Sequence, residues 1–189
     1  MLGAVNRDRV GFLHASPAGY TLKEPVRGRG QILHAAAQLL GQPQPALSAV
    51  SDQPSANFIP WRMLAKAAPR HSILIWLGDF PPRLEPEGWS VLTRRYQTMG
   101  FRVDDPWERE LPNQRVLTTY DPVSGRLVNL NGASSAQREA HAAWGRERDA
   151  AFRAIFPDPL ARLTVRTDEE RLAALVRFFH ARMHAGHQR

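Results

Sequence analysis

The chain has 189 residues, 43% of them apolar and 23% charged, which suits one globular domain with a single core. Its formal net charge of +7 rests almost wholly on arginine, since Lys23 and Lys66 are the only lysines among 25 basic residues. No cysteine is present, which excludes disulfides, thiolate zinc sites and cysteine nucleophiles. The longest apolar run, ILIWLG at 73–78, falls far short of the roughly 18 residues of a membrane span, and the N-terminus has no signal-peptide pattern. The expectation is a soluble, cytoplasmic protein.

In chain order, VGFLHA (10–15) reads as a buried strand, and Pro17-Ala18-Gly19 turns it into a second run, YTLKEP, making an antiparallel pair. QILHAAAQLLG places Ile32, Leu33, Ala36, Leu39 and Leu40 on one helical stripe, with Gly41 as its stop. Residues 42–57, rich in Pro, Ser and Gln, read as a loop with one helical turn at 46–50. A helix opens at Pro60. SILIWLGDF (72–80) is apolar without alternation from Ile73 to Leu77, the pattern of a central parallel strand covered on both faces.

WSVLTRRYQTMG then predicts a helix with Val91, Leu92, Tyr96 and Met99 inward and Gly100 as its stop, before a short strand FRV and the acidic loop DDPWERELP. RVLTTYDPVSGRLVNLN is a hairpin. Ser134 and Gln137 have capping-box spacing for a long helix through Ala140, Trp144, Ala151 and Ile155, ended by Pro157. ARLTVRT is the last strand, and Thr167 with Glu170 is a second capping box for a helix whose stripe is Leu172, Leu175, Val176, Phe179 and Met183.

Strands that alternate with helices in this way predict a mostly parallel sheet with helices on both faces, which binds ligands at the carboxyl ends of its strands. Asp79 ends one strand there, and Asp104, Asp105, Glu108 and Glu110 follow the next. Those acids are candidates for a cation site or a two-carboxylate hydrolase, although no nucleophile and base set stands out by spacing. Asp105-Pro106 favours a turn, with Trp107 as a packing anchor.

The arginines are scattered among acids, as in GRERDAAFR (145–153), and read as a solvated helix face rather than a phosphate track. RGRGQ (27–31) precedes a helix but lacks the lysine and hydroxyl of a P-loop. His14 and His34 read as structural, and His71 and His141 as exposed. His180, His184 and His187 share a helix face without a catalytic partner.

Gly78-Asp79-Phe80 after a long apolar strand, the loop Asp105-Pro106-Trp107-Glu108-Arg109-Glu110-Leu111-Pro112, the YDPVSGR hairpin and Phe178-Phe179-His180-Ala181-Arg182 in the closing helix together resemble the von Willebrand factor A-like family catalogued as domain of unknown function 58. The resemblance implies a three-layer, Rossmann-like von Willebrand factor A-type domain over 1–189, with an extra hairpin after the acidic loop. It also implies a non-enzymatic adaptor or assembly role beside a MoxR-type AAA ATPase, with Asp79, Asp105, Glu108 and Glu110 as the contact edge. The family's D-x-S-x-S metal motif and central first strand have no counterpart here. The resemblance therefore implies a chain truncated at its N-terminus, open strand edges prone to self-association, and Asp79 as the residual ligand of a Mg or Mn site completed only if the D-x-S-x-S loop is supplied. Competing expectations are a metal-dependent hydrolase on the same carboxylates and a basic nucleic-acid-binding protein.

Overall fold

The structure, a computed structural model, describes residues 8–16, 19–41, 59–113, 116–121 and 126–186. Its elements are β1 (Val10–Ser16), β2 (Gly19–Val26), α1 (Arg29–Leu40), α2 (Trp61–Ala67), β3 (Ile73–Gly78), α3 (Trp89–Arg95), β4 (Gln97–Asp104), α4 (Pro106–Arg109), β5 (Val116–Asp121), β6 (Arg126–Asn131), α5 (Ser135–Ile155), β7 (Arg162–Arg166) and α6 (Arg171–Gly186). This is the expected order with one helical turn added in the acidic loop. The turn expected at 46–50 lies outside the described residues, as do Pro17 and Ala18.

Three parallel strands in the order β3-β4-β7 form the central sheet. β1-β2 and β5-β6 are separate antiparallel pairs, as their turn-separated alternating runs predict. The molecule is thus an α/β protein with a parallel sheet, and helices cover it from both sides. On one face Phe152, Ile155 and Phe156, at and just beyond the end of α5, pack with Trp89 and Leu92 of α3 against Leu74 and Trp76 of β3. On the other face Phe178 of α6 meets Met99 and Phe101 of β4, the two phenyl rings lying edge to face at 5.2 Å. Among the described residues no helix is long and apolar enough to cross a membrane.

Two polar anchors tie the helices to one another. The Trp89 indole donates to the Ile155 carbonyl at 3.2 Å, joining α3 to α5. The Tyr96 hydroxyl donates to the Leu64 carbonyl at 2.9 Å, joining the end of α3 to α2. Each apolar ring thereby enters the core with its polar atom satisfied.

Several expectations change. The helix after Gly88 ends at Arg95, not at Gly100, and Met99 and Gly100 lie inside β4. Pairing of Gln97 beside Ile73 and of Gly100 beside Trp76 draws this segment into the sheet. Gly100 serves as a packing gap: a Cβ there would stand 2.3 Å from the Phe156 ring.

β3 is an edge strand of its sheet among the described residues, rather than a central one. α6 covers β4 and β7 but not β3, so Ile73, Ile75 and Leu77 remain 59%, 44% and 67% exposed. The α6 stripe is also rotated. Ala174 and Phe178 are buried, whereas Leu172, Val176 and Met183 are exposed. Ser134 caps α5 as expected, accepting from the Gln137 amide. α6 is capped instead by Glu170, whose side chain accepts from the Leu172 amide at 3.1 Å, because the Thr167 amide is committed to the Asp104 carbonyl.

Gly100→Ala is expected to destabilise the protein by about 1–3 kcal/mol through overpacking against Phe156. Gly30→Ala, where a Cβ meets nothing within 4 Å, should be neutral or slightly stabilising. Urea unfolding of the two variants distinguishes a packing glycine from a permissive one.

Candidate functional site

The carboxyl ends of β3 and β4 are joined by one side chain. Arg148 of α5 donates through Nε to the carbonyl of Asp79 at 2.9 Å and to that of Phe80 at 3.3 Å, and through Nη2 also to Asp79. Its Nη2 lies 3.2 Å from Asp104 Oδ1, and its Nη1 lies 3.3 Å from Glu108 Oε2. One guanidinium therefore holds the loop after β3, the last residue of β4 and the helical turn α4. The planar fork of five donors makes arginine suited to this.

Asp104 is 1% exposed and is the centre of the cluster. Arg102, two residues back on the same face of β4, approaches Asp104 Oδ1 with Nε at 2.8 Å and donates to Oδ2 with Nη2 at 3.1 Å. Arg109 Nε adds a longer contact at 3.6 Å. The 2.8 Å approach is an ion pair without hydrogen-bond alignment, so Arg102 Nε and Nη1 and Asp104 Oδ1 are buried without hydrogen-bond partners. Arg102 Nη2 also reaches Asp149 Oδ1 on α5 at 2.6 Å. Burying charges at this depth is costly unless they are paired, and here each carboxylate meets at least one guanidinium.

The acidic loop itself turns inward more than a solvated loop would. Asp105 and Glu108 form a capping box for α4 with Pro106 at its first turn. The Asp105 amide donates to Glu108 Oε2 at 2.7 Å. Glu110 is exposed, and so is Asp79, which enters the cluster through its carbonyl. The four acids expected to form one contact edge thus divide: Asp105 and Glu108 build the loop, and Asp79 and Glu110 face outward.

Phe80 follows in the left-handed region with φ 48°, yet is only 2% exposed. That backbone conformation costs on the order of 1–3 kcal/mol for a residue with a bulky side chain. It is held by ring contacts to Phe152 at 4.7 Å and Trp76 at 4.9 Å and by Arg148 on its carbonyl. Arg83 stacks above Trp76 at 4.5 Å. Burial pushes its guanidinium below the ordinary value, and Asp79 acts in the opposite direction.

His141, expected to be exposed, is 9% exposed on α5. Its ring lies 5.6 Å from Trp144 and 6.3 Å from Trp107, which anchors the loop from the other side. His141 Nε2 has no hydrogen-bond partner. Burial lowers the imidazole pKa, with Glu108 opposing. His34, read as a structural residue, accepts or donates a 3.0 Å bond with Gln38 but is exposed. His180 and His184 stand 6.3 Å apart on α6, and His187 lies outside the described residues.

The Asp79 carboxylate, expected as the residual ligand of a Mg or Mn site, is exposed at this edge. A hard divalent cation needs several oxygens gathered at one point, and Asp104, Glu108 and Asp149 are each engaged by guanidinium groups. Among the described residues no three His, Asp or Glu side chains group to hold a metal ion.

Sequence reading placed Arg148 on a solvated face and left Arg102 without a role. A signal was available: His141, Arg148, Phe152 and Ile155 lie seven, four and three residues apart, on the buried side of α5. A charge inside an apolar stripe implies a buried partner.

A parallel sheet sandwiched by helices, with two carboxyl-end loops bridged by one buried arginine, defines an α/β domain. Residues 1–151 match the family described as Protein of unknown function DUF58, and the chain belongs to that family. No curated protein and no solved structure matches it.

Asp104→Ala leaves Arg102 and Arg148 buried without their shared counter-ion and is expected to cost about 3–5 kcal/mol. Glu110→Ala, at an exposed position, should stay within about 0.5 kcal/mol, and chemical denaturation measures both. For His141 the folded-state pKa lies below the unfolded value of about 6.5, so the unfolded chain takes up the proton first as pH falls. Its contribution to stability is therefore complete above about pH 6.5 and is lost as pH drops toward the folded-state pKa. The fall in Tm between about pH 7.5 and 5.5 should be smaller in His141→Phe than in the parent.

Proposed function

We propose that this chain is a non-enzymatic protein-interaction domain of the von Willebrand factor A-like type, serving as an adaptor or assembly factor with a MoxR-type AAA ATPase. The observation that carries the reading is β3. An edge strand with Ile73, Ile75 and Leu77 aligned and 44–67% exposed on one face, and Val103 of β4 beside them at 38%, offers a partner both a backbone edge that is unpaired among the described residues and an apolar surface. Strand addition to such an edge is a general mode of protein recognition. Asp79, exposed just beyond the end of β3, and Glu110 supply negative charge at the carboxyl edge of the same sheet.

The hydrolase alternative is less well supported, because Asp104 and Glu108, two of the carboxylates it would use, are held by arginines within the fold. Asp105 and Glu108, also part of the expected contact edge, act in this reading by shaping α4 rather than by touching the partner.

Capture of the MoxR-type ATPase by the immobilised chain tests the proposal. Ile75→Glu with Leu77→Glu should weaken capture by at least about tenfold, since burying each aliphatic side chain contributes about 1.5–3 kcal/mol. Tm should be nearly unchanged because both residues are exposed. Undiminished capture with an intact fold would count against the β3 surface, and a shift from dimer to monomer in the double variant would identify a second copy of the chain as the occupant.

A further inference from the structure

Behind the Asp104 cluster, between α5 and the β4-β7 half of the sheet, lies a cavity of about 370 Å³ walled by Arg102, Arg109, Arg153, Arg162, Asp149 and Thr164. From this geometry we infer a binding site for the phosphate group of a small phosphate monoester, a role separate from the docking surface of β3.

The charges leave room for such a ligand. The four arginines of the wall face one aspartate there. Adding the ion-paired residues behind the wall, Arg148, Asp104 and Glu108, gives five arginines against three carboxylates. The excess of positive charge in this group favours an anion. Asp158, next to Pro159 of the wall, keeps its negative charge while accepting from the Leu160 amide at 2.9 Å, and with it the arginines outnumber the carboxylates five to four. Arg102, 5% exposed, lines the cavity and has a buried Nη1 with no hydrogen-bond partner.

The donors are also held in place before any ligand arrives. Arg162 Nη1 donates to the carbonyls of Phe156 and Pro157 at 2.8 and 2.9 Å. Arg102 is fixed by Asp104 and Asp149, and its guanidinium stands 5.1 Å from the Phe152 ring. Register places Thr164 beside Arg102 and Arg162 beside Gly100 in the parallel pairing of β4 with β7, so these three donors share one face of the sheet. Guanidinium groups fixed in advance lose little freedom on meeting an oxyanion. Phe152 and Pro159 complete the lining of the cavity.

The size matches a small-molecule site, for which about 300–1,000 Å³ is usual. A nucleic-acid backbone would instead need basic residues spread along a surface track, and the arginines here converge on one cavity.

Isothermal titration calorimetry of the full chain with inorganic phosphate, AMP and adenosine tests the inference. Phosphate and AMP should bind saturably while adenosine does not, and binding should persist in 0.15 M salt, roughly the physiological ionic strength. Arg109→Gln with Arg153→Gln, both at substantially exposed side chains, should fold normally and lose at least about tenfold in affinity, as expected when charge-assisted hydrogen bonds are removed. Absence of saturable phosphate binding, equal affinity in the variant, or binding of a polyglutamate peptide in place of phosphate would overturn it.

Discussion

Asp104 is where the carboxyl edge of the sheet is secured. A carboxylate 1% exposed at the end of β4 draws Arg102 from its own strand and Arg148 from α5. Because Arg148 also grips the carbonyls of Asp79 and Phe80 and the carboxylate of Glu108, the loop after β3 and the turn α4 share one electrostatic support. Interactions of this kind add little net stability over an apolar replacement, yet losing one partner is severe. The cluster therefore imposes a single arrangement on two loops that local sequence would leave free.

That arrangement decides what the acids are available for. Once Asp105 and Glu108 cap α4, and Asp104 and Asp149 meet arginines, the edge holds little unassigned negative charge beyond Asp79 and Glu110. Behind the edge positive charge is in excess, where Arg109, Arg153 and Arg162 surround the cavity. An acidic motif in the sequence thus lies beside a cationic cavity in the fold.

The sheet is correspondingly uneven. One face carries the aromatic core, in which Trp89 and Phe156 lie edge to face at 5.1 Å and Gly100 admits the Phe156 ring. The other is covered by α6 over β4 and β7 and left open over β3. An apolar strand with one uncovered face and, among the described residues, an unpaired edge is a feature that folded proteins normally conceal, and this gives β3 its place in the proposed interaction.

Local chemistry made much of the fold legible in the sequence. The element order, the β1-β2 and β5-β6 pairs, the Ser134 cap and the end of α5 before Pro157 depend on turn residues, capping spacing and period, which act over a few positions. The tertiary structure decided the rest. An apolar run cannot state whether one or both of its faces will be covered, so Ile73 to Leu77 looked central and became an edge. Gly100 reads equally as a helix stop or as a gap for a ring, and only the approach of Phe156 from 56 residues away chooses. The Arg102-Asp104-Arg148 cluster joins a strand to a helix more than forty residues on. Burial of those charges becomes favourable only when all three are brought together, so the apolar stripe around Arg148 marks a buried charge without naming its partners.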